Sequence, residues 1–376
     1  MLLKKSNECP LCYKPMERLI DLPSYPLTEL YEPWSETFQK GRGLADQGFL
    51  YCEPCNHGKL ETIIQPERLY GEGYRTKSAA SIGSRTALKN FHAFIGEVSA
   101  DVVIDIGGND ASLVSMFHVA RKVIIDPNAS GEAECIRQFI EDVDLETVFH
   151  PTLPERKLIL SSHTIEHIEK VDDFIAKVAK MLFHGDMLAL QFPSLELLVK
   201  DFRMEQIHHQ HIHYFSLLSI GELLHRYGIE ITRFQFDHDH YGALMLMCRK
   251  GTMGIDGEKV TGSMIIEAEE KFHWAMQSLK LALKGKTFVA FGAALMLPVL
   301  AYYLPELAGA EYIADNNPEK DGLRYVNLDL RITNDYDLRG RNVLITAINT
   351  KLAQRELVKL AFQDGARNVL VPTHCL

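Results

Sequence analysis

The sequence predicts an α/β chain in three parts: a small zinc-binding module, then two successive Rossmann-like units. Three observations carry that reading. Two C-x-x-C pairs lie near the N-terminus, β-branched runs alternate with amphipathic segments from about residue 100, and the alternation restarts after a long amphipathic stretch near residue 270. A length of 376 residues leaves room for two or three domains. Hydrophobic residues make up 46% and charged residues 24%, which suits packed cores and excludes wholesale disorder or collagen-like repeats. The formal net charge of −10 argues against a nucleic-acid surface or a polybasic membrane patch, since both need clustered Lys and Arg.

The first element is the cysteine module. Cys9 and Cys12 (CPLC) and Cys52 and Cys55 (CEPC) form two knuckles with 39 residues between them. Zn²⁺ takes four thiolates in a tetrahedron, and each knuckle offers two sulfurs on one side of the ion. The long separation implies that the intervening residues loop out as a small subdomain. A disulfide pair or a redox motif competes with this reading. Redox use would need a C-x-x-C opening a helix, and Pro10 and Pro54 suit rigid metal turns. His57 would be a fifth ligand and reads as a bystander. The other thiols, Cys135, Cys248 and Cys375, are scattered. Seven Cys, an odd count, with no apolar stretch after the first lysines, points to a reducing compartment and a cytoplasmic protein.

The central part begins with helical spacing over 84–98. Strands are expected at 102–106, 123–125, 158–161 and 187–192, with amphipathic segments at 110–119 and 171–182 between them. That alternation predicts a parallel, doubly wound sheet. A helix over 219–227 with a glycine stop at Gly228 leads to strands at 229–236 and 242–248.

Apolar Ile265, Phe272 and Leu279 then recur every seven residues and predict a long amphipathic connector helix over 258–284. Beyond it, strands are expected at 287–291, 311–314, 342–346 and 368–371, with helices at 293–303 and 351–363. The uncharged stretch 287–304 approaches membrane-span length. Gly292 and Pro298 interrupt it, so it reads as strand, turn and helix.

Chemistry concentrates in three segments. VVIDIGGNDASL ends a strand in Asp105, Gly107 and Gly108, where glycine lets the backbone turn sharply beside a ligand. The third glycine of a dinucleotide fingerprint does not appear. Asp126 follows the first glycine by 19 residues, the distance at which an acidic residue meets an adenosine ribose. A short glycine turn with no pyrophosphate repeat favours S-adenosylmethionine over NAD. A purely structural turn is the plainer alternative. SSHTIEHI closes the third strand and brings Glu166 and His167 to the carboxyl edge of the sheet. MEQIHHQHIHYFS holds His208, His209, His211 and His213, and in an extended chain His209, His211 and His213 would share a face. At least one of these imidazoles suits a general base, while an exposed polar loop is the competing reading.

On these residues the chain resembles the S-adenosylmethionine-dependent sugar C-methyltransferases of deoxysugar biosynthesis, which methylate C3 of nucleotide-linked 4-keto sugars. The family's IGxNDG is met by Ile106-Gly107-Gly108-Asn109-Asp110, with Ala111 where glycine is usual. Its helix-start histidine matches His167, and its Y-H-E-H-x-x-Y-F-S block aligns with residues 208–216. There His208 replaces the tyrosine and Gln210 the glutamate, while His211 keeps the second histidine. H-G-G-S-L matches residues 240–244, and D-x-N-P matches residues 315–318. A G-A-P-A-K-G turn becomes 292–297 with Met296 in place of lysine. Tyr74 is the nearest counterpart of an active-site tyrosine.

The resemblance implies a Cys₄ module over 1–70, a class I methyltransferase domain over 71–255 and a C-terminal α/β domain over 256–376. It implies C-methylation of a nucleotide-linked keto-deoxysugar through an enolate. An O- or N-methyltransferase, or a catalytically silent scaffold, are the alternatives. It assigns catalysis to His211, His167, His208, Gln210 and Tyr74, and the cofactor to Asp105, Gly107, Gly108, Asn109, Asp126, Ser162 and His163. The substrate falls to His240, Gly242, Asp315 and Asn317. Neither nucleic acid nor membrane is an expected partner, and the chain is expected as a monomer or weak dimer.

Overall fold

The computed structural model describes residues 3–64, 82–145, 155–240, 242–348 and 350–372. Near the N-terminus the described strands are β1 (Leu3–Lys5), β2 (Glu17–Pro26), β3 (Tyr31–Pro33), β4 (Leu44–Cys52), β5 (His57–Leu60) and β6 (Thr62–Ile64). The residues between the two cysteine knuckles are therefore mostly sheet. β2, β4 and β5 run antiparallel in sequence. Alternation along β2 buries Ile20 and Leu22, and an irregularity between Leu22 and Tyr25 brings Tyr25 into the same core.

The central part contributes β7 (Val102–Ile106), β8 (Arg121–Ile125), β9 (Glu134–Ile136), β10 (Lys157–Ser162), β11 (Met187–Pro193), β12 (His213–Phe215), β13 (Ile229–Asp237) and β14 (Ala243–Lys250). Seven of them form one sheet in the order β13-β14-β11-β10-β7-β8-β9, parallel except that β14 runs against both neighbours. β7 is buried along its whole length, as a strand covered on both faces must be. Its register pairs Asp105 with Leu160 of β10 and Ile106 with Ile125 of β8. The carboxyl ends of these three strands therefore finish level. Chain order reverses between β7 and β10, which opens a crevice at that edge. Helix Val171–Met181 covers one face through Val171, Phe174, Ile175 and Val178, the i, i+3, i+4, i+7 stripe of an amphipathic helix.

The amphipathic segment expected at 110–119 is not an α-helix. Only a 3₁₀ turn, Val114–Met116, forms there. Asn109 and Ala111 sit in the left-handed region (φ 48° and 61°), and the Ser112 N–H is taken by Asp110 Oδ1 at 3.2 Å. A side-chain turn has displaced the first turn of helix. Strand β9 and helix Leu195–Lys200 have no counterpart in the sequence reading.

Beyond helix Gly262–Leu283 lie β15 (Phe288–Phe291), β16 (Ile313–Ala314), β17 (Leu323–Tyr325), β18 (Ile332–Thr333), β19 (Asn342–Ile345) and β20 (Asn368–Leu370). Five of these make a parallel sheet, β18-β16-β15-β19-β20. The stretch 287–304 is strand, turn and short helix, and no described helix is long and apolar enough to cross a membrane.

The three parts share contacts. β12, from the central part, adds a strand to the N-terminal sheet beside β5. β17 pairs with β3. One core cluster takes Tyr25 and Phe49 from the N-terminal sheet, Leu198 and Ile207 from the central part, and Phe272 and Leu300 from beyond.

Candidate functional site

A cavity opens at the crevice between β7 and β10. Gly107 adopts φ +81°, and a Cβ there would stand 1.9 Å from Thr164 Oγ1. At Gly108 a Cβ would come within 2.8 Å of the Asp105 carboxyl. Both positions therefore require glycine. Asp105 is 2% exposed, and its Oδ1 has no hydrogen-bond partner among the described residues. Burial, with Asp126 and Asp110 adding to it, pushes its pKa up to about 7. Asp126 follows β8 directly, with Oδ1 accepting from the Asn128 N–H at 2.6 Å, and burial raises its pKa too. Asn109 and His163 line the same space with left-handed backbones, a strain that folds tend to keep at ligand sites.

His163 follows Ser162 at the end of β10. Its N–H donates to the Gln191 carbonyl at 2.7 Å, and its ring meets His240 edge-on with centroids 5.0 Å apart. His240 lines the cavity.

The histidine-rich segment completes the chamber, in a shape different from the expected extended one. A 3₁₀ turn at Met204–Gln206 is followed by a second turn, closed by the His211 N–H on the His208 carbonyl at 3.0 Å. That turn sends His208 and His211 together to the cavity, with ring centroids 4.0 Å apart. His209 and His213 leave in the other direction. His209 Nδ1 accepts from Gln47 Nε2 at 3.1 Å, and its Nε2 donates to the Tyr25 carbonyl at 3.3 Å. His213 Nε2 donates to the Glu169 carbonyl at 3.3 Å, and its Nδ1 accepts from His57 Nε2 at 3.2 Å. The expectation that His209, His211 and His213 share a face is thus corrected: spacing of three across a turn replaces spacing of two along a strand.

His167 Nδ1 donates to the Gln210 carbonyl at 2.7 Å, and the Ile212 N–H donates to the Glu166 carbonyl at 2.8 Å. These bonds lock the histidine segment onto the end of β10. Burial, then neighbouring imidazoles, holds His208, His211 and His240 well below the usual histidine range, so all three are neutral near pH 7.

Other predicted positions lie elsewhere. Gly242 is outside the cavity; its carbonyl accepts from the Ser194 N–H at 2.9 Å and a Cβ would meet Leu197 at 2.9 Å. Asp315 accepts from the N–H groups of Ala293 and Asn317 at 2.6 and 2.8 Å, and Asn317 caps the turn Pro318–Lys320. The structure does not bring these three to the cavity. Tyr74 lies outside the described residues. Met296 is fully buried in the shared core, which gives an apolar reason for the missing lysine. Leu295, beside it, lines the cavity, so the C-terminal part contributes a wall that the sequence did not announce. Glu166 was placed near the site by its strand end, yet nothing in the sequence revealed that His211 would meet it.

Cys9, Cys12, Cys52 and Cys55 converge, each offering its sulfur within 4.8 Å of the others. Cys12 Sγ and Cys52 Sγ stand 3.7 Å apart, and two thiolates on a tetrahedral Zn²⁺ at about 2.3 Å each lie about 3.7 Å apart. The donor set fits zinc. His57 turns to His213 and is no part of the cluster.

Residues 78–233 match a family model described as a methyltransferase domain. C-methyltransferase NovU from Streptomyces niveus is 23% identical over 240 residues, which cover 60% of this chain and 57% of that protein. The chain thus spans little more than half the length of that curated relative. Among solved structures, the 1,6-didemethyltoxoflavin N1-methyltransferase of Burkholderia thailandensis, with S-adenosylhomocysteine bound, is 15% identical with a TM-score of 0.34, covering 46% of this chain and 80% of that one. Magnesium protoporphyrin IX methyltransferase from Synechocystis PCC 6803, with bound SAM, is 14% identical with a TM-score of 0.32, covering 48% and 88%. Residues 78–233, which match that methyltransferase model, lie mostly in the seven-stranded sheet, a Rossmann-like α/β fold.

Proposed function

We propose that this chain is an S-adenosylmethionine-dependent methyltransferase that methylates a carbon beside a ketone, on a small acceptor such as a nucleotide-linked keto-deoxysugar. One observation carries the reading. A single cavity at the switch point of the sheet joins a glycine turn and Asp126 to a wall of neutral imidazoles. The 23% identity to a C-methyltransferase supports carbon as the acceptor atom.

In this reading Asp126 accepts from the ribose hydroxyls of the cofactor, and Asp105, Gly107, Gly108, Asn109, Ser162 and His163 surround the rest of it. The acceptor lies against His240. A base drawn from His208, His211 and His167 removes the proton from the carbon beside the ketone, and Gln210 orients its neighbours. S-adenosylmethionine held by those cofactor residues would supply the methyl to the enolate carbon and would depart as the neutral thioether. Zn²⁺ on the four cysteines would supply structure and no chemistry, because the protein fills all four positions. Residues 1–70, 71–255 and 256–376 form the three functional parts.

Incubation in D₂O with a keto-deoxysugar nucleotide and S-adenosylhomocysteine tests the proton-removal step. NMR should show enzyme-dependent exchange at the carbon beside the ketone, and with S-adenosylmethionine a new carbon-bound methyl. A methyl on oxygen or nitrogen, with no exchange, would replace this reading. His211→Asn should lower turnover at least a hundredfold while leaving cofactor affinity near wild type.

A further inference from the structure

Glu166 sits in the imidazole wall with a side chain 1% exposed, and neither carboxylate oxygen accepts a hydrogen bond among the described residues. His163 Nδ1 stands 3.3 Å and His167 Nε2 3.8 Å from its Oε1, without hydrogen-bond geometry. In its ionised form, a carboxylate in that condition is stabilised by a cation. One donor atom each from Glu166, His167 and His211 lie within 4.8 Å of one another. His208 is completely buried beside them, and both its ring nitrogens are without partners among the described residues.

We propose that Glu166, His167 and His211 bind a divalent first-row transition ion at the acceptor end of the cavity. Two imidazoles and one carboxylate are the donor set that such ions favour over Mg²⁺ or Ca²⁺. Adjacent donors on an ion at about 2.1 Å each stand about 3 Å apart, and opposite donors about 4.2 Å. The observed span, within 4.8 Å, is wider than a bound ion requires, so ion binding would draw the three donors together. The supporting contacts are already present. Metal-bound histidines usually donate their second ring nitrogen to a carbonyl or carboxylate, and His167 Nδ1 does so to Gln210. That bond leaves the lone pair of His167 on Nε2, the nitrogen nearer Glu166.

Three protein donors leave coordination positions for the acceptor. On the methyl-transfer reading, the ion takes the ketone oxygen and holds the negative charge of the enolate. His167 and His211 then serve as ligands, and His208 is left as the base. The ion site itself does not depend on that reading.

The test is a Mn²⁺ titration of the full chain followed by electron paramagnetic resonance, since Mn²⁺ does not compete for a thiolate site. One Mn²⁺ per chain should bind, and pulsed spectra should show coupling to imidazole nitrogen. Glu166→Gln and His211→Asn should each weaken binding at least tenfold, while S-adenosylhomocysteine affinity stays within about twofold. Absence of binding, absence of nitrogen coupling, or unchanged affinity in Glu166→Gln overturns the proposal. The nitrogen signal needs no variant, so a misfolded mutant does not blunt the test. Mn²⁺ binding without S-adenosylhomocysteine binding would uphold the ion and remove the methyl-transfer reading; the reverse result would do the opposite.

Discussion

Asp105 carries the most informative single charge in the cavity. Its pKa of about 7 lies far above that of an exposed aspartate, with burial the first cause. The unfolded chain ionises this group near pH 4, while the folded chain holds the proton to about 7. Its contribution to stability is therefore complete below pH 4 and is lost as pH rises from there through 7, by a few kcal/mol in total. Asp105→Asn should flatten that loss in denaturant midpoints measured from pH 4 to 8. If the cationic amino group of the cofactor lies beside Asp105, affinity should climb up to about tenfold per pH unit below 7 and level off above it. Calorimetry with S-adenosylhomocysteine across that range reads the slope, and the same substitution should abolish it. Asp126→Ala should weaken cofactor binding by about 1.5–3 kcal/mol, since it removes a charged acceptor. An unchanged dissociation constant would remove Asp126 from the cofactor site.

At the scale of elements, the segment from Met204 to Phe215 joins cysteine cluster and cavity. Its last strand, β12, pairs with β5, which begins two residues after Cys55. Ser216 caps the following helix and donates its hydroxyl to the Asn56 carbonyl at 2.7 Å. Asn56 in turn donates to the Val260 carbonyl at 2.6 Å, before the long helix. If the four cysteines hold zinc, its loss should therefore reach the imidazole wall through β5 and β12. Cys52→Ser should abolish stoichiometric zinc by elemental analysis and increase hydrogen exchange at residues 57–60 and 213–215. Exchange at β7 and β8 should stay near wild type, because no strand of the N-terminal sheet pairs with them.

For the whole molecule, the β3–β17 pairing ties the two ends of the chain together. Arg324, on β17, is buried and donates to Glu32 Oε1 at 2.9 Å, to Asp329 at 2.9 Å and to the Glu36 carbonyl at 2.8 Å. Glu32 is 5% exposed and keeps Arg42 as a second partner at 2.7 Å. Arg324→Met leaves a buried carboxylate with half its pairing and should cost about 3 kcal/mol, read as a lowered thermal midpoint. A change within about 0.5 kcal/mol would mean that this joint adds little to the folded state.

The sequence alone determined most of the strands and helices and their order along the chain. Local patterns did this: apolar period in helix Val171–Met181, β-branched runs in β7 and β8, and paired cysteines. It also marked Gly107 and Gly108, because the turn after β7 leaves no room for a Cβ at either position. It misread 110–119, where the Asp110 side chain took an N–H that a helix needs. It misread the histidine segment as well, since alternation describes a strand and says nothing of a turn. Tertiary structure decided which histidines meet. His209 and His213 are drawn off by Tyr25, Gln47 and His57, residues more than 150 positions away. What remains at the cavity is His208 and His211, beside a carboxylate from another strand end. No local pattern encodes such a meeting, because it depends on how separate strands are registered and on what each side chain finds when it is buried.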